Sequence, residues 1–180
     1  LTENKFGIDF SVAKDLFLRY VTDKYVDLSG IEVHVGSQIL SLDPFVEMFE
    51  KIKAMLVVLK QQGTNIKTID FGGGIGVPYS ADQTEMLPFD YVEKLISILG
   101  NDFDFVFEPG RFISGNAGIL ATKVLRTKTA GTKKFTIVDA GMNDLMRPAL
   151  YDAYHHIVAD KGGDLTEKYD VAGPICESSD

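Results

Sequence analysis

The residues able to do chemistry fall in clusters. His34-Val35-Gly36-Ser37-Gln38 comes first, then Asp70-Phe71-Gly72-Gly73-Gly74-Ile75-Gly76, then Glu108-Pro109-Gly110-Arg111. The run from Gly72 to Gly76 lets backbone N–H groups approach an anion closely, and a phosphate is the natural guest. The same run also serves as a plain tight turn. It is no dinucleotide fingerprint, because Val77 stands where the last small residue belongs. No Lys-Ser/Thr pair follows as in a P-loop. A phosphate carried by another kind of cofactor fits better. His34 brings an imidazole that stacks on an aromatic ring or donates a hydrogen bond, and Ser37 brings a hydroxyl to a phosphate. A lone histidine is more often structural, but the company of the other clusters favours function. Glu108 and Arg111 either pair with each other or act separately. Acting separately, Glu108 holds a proton on a cofactor ring nitrogen and Arg111 binds an anion bidentately.

Further on, Asp139-Ala140-Gly141-Met142-Asn143-Asp144 leads to Arg147-Pro148-Ala149-Leu150-Tyr151. Arg147 precedes a proline, which biases its backbone away from helix. Tyr151 is one turn into the helix that Pro148 starts, so the two side chains are placed to converge. A solvated arginine at a helix start is the more common case. Cys176 and Glu177 follow Gly173-Pro174-Ile175, in a turn too polar for a buried cysteine. A thiol there exchanges a proton if its pKa lies near working pH. His155 and His156 are adjacent, do not share a helix face, and are not expected to bind a metal.

Positioning these clusters requires regular elements. Ile31–Val35, Ile66–Phe71 and Phe103–Glu108 are short, apolar and β-branched or aromatic, and read as buried strands. Helices are expected from Ser11 to Val21, from an Asp43 cap and Pro44 to Gly63, and from Phe89 to Leu99. In the second, Phe45, Phe49, Ile52, Leu56 and Leu59 form the inward stripe. In the third, Val92, Leu95, Ile96 and Leu99 face inward. Strand–helix–strand order implies parallel strands with helical crossovers. All three clusters then lie at the C-terminal ends of strands, where such folds place their sites. After Arg111 the pattern changes. Leu120–Thr127 and Lys134–Val138 flank a Gly131 turn, a helix runs from Pro148 along Leu150, Tyr151, Tyr154 and Ile157 to a break at Gly162-Gly163, and Tyr169–Ala172 is a last strand. A boundary falls near Gly115 to Leu120.

Composition narrows the function classes. The chain has 180 residues, 45% hydrophobic and 24% charged, which are globular proportions. With 18 basic and 26 acidic residues the net charge is −8. That argues against nucleic-acid and anionic-membrane binders, which present a basic face. A single cysteine allows no internal disulfide, so a cytoplasmic location is expected. The apolar run Ala54–Leu59 is far too short to span a bilayer. The sequence opens at Leu1 and closes at Asp180 after a polar cluster, and both ends look cut.

Taken in order, HVGSQI, DFGGGIG, EPGR, DAGMNDLMRPALYDAYH and GPICESSD resemble the diaminopimelate decarboxylase family. These pyridoxal 5'-phosphate (PLP) enzymes combine an alanine-racemase-like (β/α)8 barrel with a β domain. The resemblance spans essentially the whole chain. It implies residues 1–117 as the C-terminal half of a PLP-binding TIM-type barrel and 118–180 as the start of a β-rich domain with an inserted helix. It implies decarboxylation of meso-2,6-diaminopimelate to L-lysine. His34 would stack on the PLP ring, with Ser37, Gly72, Gly73 and Gly74 around the phosphate. Glu108 would pair with the pyridine nitrogen, and Pro109, Gly110 and Arg111 complete that stretch. Arg111, Arg147 and Tyr151 would bind substrate carboxylates, and Glu177 the distal amino group. Cys176 would be the proton donor, supplied across a homodimer interface.

The family's Schiff-base lysine has no counterpart here, so the segment alone is expected to be inactive. Ser179 stands where the family often has glycine. Arginine, ornithine or carboxynorspermidine decarboxylases are the nearest alternative, a non-catalytic PLP-binding protein the next, and a sugar-phosphate barrel enzyme the last. A substrate without a distal carboxylate has little use for Arg147.

Overall fold

The computed structural model describes residues 5–161 and 167–180. It divides into two compact units, Leu1–Ala117 and Gly118–Asp180.

In the first unit, helix α1 (Phe10–Tyr20) starts where the Asp9 carboxylate accepts the Ser11 N–H at 2.8 Å. Then follow β1 (Gly30–Glu32), α2 (Asp43–Gln61), β2 (Thr68–Asp70), α3 (Pro88–Leu99), β3 (Asp104–Val106) and the short α4 (Gly110–Ser114). The sheet order is β1-β2-β3, all parallel, as the alternation of elements predicts. Its register places Glu32 beside Asp70 and Asp70 beside Val106. The three strands therefore end in line, and the loops that follow them leave from one edge. Each strand is shorter than its apolar run. Val33 N–H still donates to Asp70 and Phe71 N–H to Val106, but the chain then turns into the glycine-containing loops.

The core lies between this sheet and the two crossover helices. Phe45, Phe49, Ile52, Ile69, Phe71, Tyr91 and Leu95 are buried in one cluster. Tyr91 stands edge-on to Phe45 and Phe49, with centroids 4.9 and 5.2 Å away, and Phe49 is edge-on to Phe71 at 5.4 Å. Such geometry suits aromatic quadrupoles. Burial pushes the Tyr91 phenol above its ordinary pKa. Phe17 of α1 packs with Met55 and Leu59 of α2 in a second cluster. Phe49→Ala is expected to cost about 3–5 kcal/mol by opening a cavity against Phe71 and Tyr91. Urea denaturation of the intact protein would measure it, and a loss below about 1 kcal/mol would contradict this packing.

Two helix expectations need correction. Asp43 is the first residue of α2 rather than its cap, and Leu42 holds the cap position with no side-chain bond. In α3 the buried face is Tyr91, Leu95 and Ile98, whereas Val92 and Ile96 are exposed. The sequence offers two apolar stripes side by side, and the aromatic contacts of Tyr91 decide which turns inward.

In the second unit, β4 (Val124–Ala130) and β5 (Lys133–Val138) form an antiparallel hairpin through Gly131, with a register shift between Val124 and Arg126. Strand β6 (Asp170–Ala172) pairs parallel to β5. The helix begun at Arg147 is much shorter than expected. α5 spans only Arg147–Tyr151, because Asp152 adopts the left-handed conformation at φ 50°. Aspartate tolerates that region better than most residues and ends the helix there. Tyr154 and Ile157 are therefore not on a helix and are exposed. The expected break at Gly162-Gly163 lies outside the described residues.

Candidate functional site

The edge common to β1, β2 and β3 gathers one group of the predicted residues. Gly73 N–H donates to His34 Nδ1 at 3.4 Å. Glu108 N–H donates to the Gly72 carbonyl at 2.7 Å. Gly72 N–H donates to the Asp70 carboxylate at 2.8 Å. The loops after the three strands are thereby tied to one another. Gly72 and Gly74 have φ of 61° and 110°, where a side chain is strained. Added bulk would also collide: a Cβ on Gly72 would sit 2.7 Å from His34 Nδ1, and one on Gly74 2.9 Å from the Gly36 carbonyl.

The first loop is fixed to the second further along. Ile39 N–H donates to the Gly74 carbonyl and Gly76 N–H to the Ile39 carbonyl, each at 2.9 Å. Between His34 and this bridge, Gln38 has φ 61°, which costs a non-glycine residue roughly 1 kcal/mol or more. Its side chain spans to the second loop. Gln38 Nε2 donates to the Val77 carbonyl at 2.6 Å, and Val77 N–H donates to Gln38 Oε1 at 3.3 Å. Arg111 Nη1 donates to the same Oε1 at 3.2 Å and to the Tyr79 hydroxyl at 3.0 Å.

Glu108 and Arg111 form no ion pair, and among the described residues Arg111 meets no carboxylate. Of the two readings left open by the sequence, the geometry supports separate use of the charges. His34, Ser37 and Glu108 are exposed, so each can reach a bound molecule. Gly74 N–H donates to no acceptor among the described residues, which leaves a backbone donor beside the loop. Exposed imidazole, free carboxylate, unspent guanidinium and glycine-loop donor are the donor set that a phosphorylated aromatic ring with a basic nitrogen requires. The residues fit PLP. Gln38, Tyr79 and Asp70 carry structural bonds here that the motif reading did not assign.

The second unit holds the other group. Arg147 and Tyr151 begin and end α5, four residues apart and so on neighbouring positions of one face. Cys176 and Glu177 occupy the segment after β6, and the Cys176 thiol is exposed. The Asp180 carboxylate organises both sides. It accepts the N–H of Met142 through Oδ1 and that of Ile175 through Oδ2, the latter at 2.8 Å. The 139–144 loop and the 173–180 segment are knit together by that one side chain. Glu177 Oε1 accepts Ser178 N–H at 2.9 Å and Ser178 Oγ–H at 3.1 Å. Glu177 and Asp180 line a shallow depression of about 390 Å³ with Lys128, Lys133 and Asp170. Asp139 accepts Lys123 N–H and the Thr122 hydroxyl, at 2.8 and 2.7 Å. These bonds hold its carboxyl below the usual aspartate range.

Comparison with known proteins defines the class. A model of the pyridoxal-dependent decarboxylase C-terminal sheet domain matches residues 14–180, and the chain belongs to this family of pyridoxal-dependent decarboxylases. Within the family, it is similar to the diaminopimelate decarboxylase of Haemophilus influenzae, with 41% identity over the whole chain and 44% of that protein. The crystal structure of diaminopimelate decarboxylase from Helicobacter pylori complexed with L-lysine superposes with a TM-score of 0.92 at 39% identity, over 100% of this chain and 45% of that one. The structure of SrLDC in complex with PLP and cadaverine superposes with a TM-score of 0.84 at 30% identity, over 98% and 47%. The chain thus spans less than half the length of these relatives.

Proposed function

We propose that the chain supplies part of a PLP-dependent diaminopimelate decarboxylase, a carboxy-lyase that converts meso-2,6-diaminopimelate to L-lysine and CO2. The observation that carries this is the strand-end group in which His34, the Gly72–Gly74 loop and Glu108 meet, with Arg111, bonded among the described residues only to the neutral groups of Gln38 and Tyr79, three residues beyond Glu108. The family membership and the names of the relatives support it. When bound, PLP supplies an electron sink for the pair left by CO2 loss. His34 covers the ring face. Ser37 and the glycine loop hold the phosphate, and Glu108 keeps a proton at the ring nitrogen. Arg111, Arg147 and Tyr151 bind substrate carboxylates, and Glu177 binds the distal ammonium. When the carbon–carboxylate bond breaks, Cys176 Sγ–H gives its proton to the carbon that lost CO2.

In this reading residues 1–117 are half of a (β/α)8 barrel and 118–180 open a β-rich domain. The enzyme is a cytoplasmic homodimer, and Cys176 serves the partner's site. No lysine of this chain takes the cofactor-anchoring role, so the chain acts only with the rest of the enzyme. The test is CO2 release from the intact enzyme with PLP, offered meso-diaminopimelate, arginine, ornithine or carboxynorspermidine in turn. Release from diaminopimelate alone is expected. Release from arginine or ornithine instead would overturn the roles of Arg147 and Glu177. No release from any would return the protein to a non-catalytic PLP binder.

A further inference from the structure

We propose that Gln38, assisted by Tyr79, is a positioning residue that presents the Arg111 guanidinium to an anionic group with its charge unspent. The inference rests on the proposed anion-binding role of Arg111 and adds the device that makes the role possible. Both acceptors of Arg111 Nη1, Gln38 Oε1 and Tyr79 Oη, are neutral oxygens. A carboxylate in either place would fix the arginine equally well but would neutralise it. With Nη1 occupied, Nε and Nη2 make no hydrogen bond among the described residues. That edge of the fork is the one that grips two oxygens of a carboxylate or phosphate at once.

The support beneath Gln38 is unusually complete for a surface loop. Its amide pairs with both the N–H and the carbonyl of Val77, as a second backbone strand would. That double bond fixes which end of the amide is oxygen and aims Oε1 at Arg111. The loops also run close at Gly76, where a Cβ would lie a tight 3.0 Å from the Gln38 backbone. Gln38 itself is held at φ 61°. Glycine would adopt that conformation without strain, so the side chain is what this position uses.

The anionic oxygens have two possible sources, the cofactor phosphate and a substrate carboxylate, and the test separates them. In the intact enzyme, Gln38→Glu keeps the shape and an acceptor for Nη1 but puts a negative charge on it. Gln38→Met keeps the length and removes the acceptor. Two quantities are read, the Kd for PLP by absorbance titration of the apo-enzyme and KM for diaminopimelate at saturating PLP. Both variants are expected to weaken one of the two by about tenfold or more, the effect of a lost charged hydrogen bond. The kcat should fall less than kcat/KM. A rise in Kd assigns the phosphate, and a rise in KM with Kd unchanged assigns the carboxylate. Gln38→Glu with Kd and KM both within twofold of wild type would overturn the proposal. Arg111→Met is the control. If it too changes neither quantity, the anion-binding role of Arg111 fails. If it weakens binding while Gln38→Glu does not, only the positioning role fails.

Discussion

Gly73→Ala in the intact enzyme is expected to abolish measurable PLP binding and to destabilise the fold by about 3 kcal/mol or more, the upper range for forced overpacking. The added methyl would be driven into the Glu108 carbonyl oxygen, with the Glu108 carbonyl carbon only 3.4 Å away. These are backbone atoms, so no rotamer change relieves the collision. Neither loop has slack. Glu108 N–H is bonded to Gly72 at 2.7 Å and Gly72 N–H to Asp70 at 2.8 Å. To admit the methyl, the third loop must leave the second, and Glu108 and Arg111 move away from His34 together. Gly110→Ala is the matched comparison. Nothing lies within 4 Å of a Cβ there, and Gly110 opens α4. As a comparison for stability alone, it is expected to leave the fold unchanged or more stable by up to about 1 kcal/mol, since alanine is the better helix former. Thermal melts of both variants and a PLP titration of Gly73→Ala decide the matter. If Gly73→Ala melts and binds PLP like wild type, the loops are not interlocked as described.

The contrast between those two glycines shows what a sequence discloses. The parallel sheet was legible because Ile31, Ile69 and Phe105 sit in apolar runs separated by helix-length segments, and only parallel pairing satisfies that order. The alignment of three polar clusters on one edge followed from it. Which glycine is packed against backbone and which faces open space did not follow, since each stands in a polar strand-end cluster and glycine shows nothing of its neighbours. Gln38 was harder still. Its partners are Val77, 39 residues away, and Arg111, 73 residues away, and no periodicity encodes a bond across two loops. The helix after Pro148 failed for a local reason. Apolar spacing continues past Tyr151, but Asp152 takes the left-handed turn, and spacing alone carries no sign of φ. In α3 the choice between two apolar faces was made by Tyr91 meeting Phe45 and Phe49, a tertiary event.

Cys176→Ala is expected to lower kcat for lysine formation by roughly 10²- to 10⁴-fold, the usual contribution of a positioned general acid. PLP affinity and KM should stay within about twofold, because no binding contact is removed. The geometry of the 173–180 segment argues for that separation. Its path is set by the Asp180 carboxylate on the N–H groups of Met142 and Ile175, and by Glu177 bonded back to Ser178. None of these bonds uses Sγ, and the thiol is exposed on a framework that survives its loss. Glu177 spends Oε1 on Ser178, which leaves Oε2 for a cationic group while Cys176 next to it remains free to give a proton. Cys176→Ser separates acidity from size. A hydroxyl fits the same space but is a far weaker acid, so serine should recover little of the lost rate. Single-turnover measurement of CO2 release beside lysine formation gives the sharper reading. If proton delivery is the role, lysine formation should be impaired in both variants while substrate still binds. If Cys176→Ala retains more than about a tenth of wild-type kcat, the proton comes from another group, and the polar turn around Cys176 serves only to present Glu177.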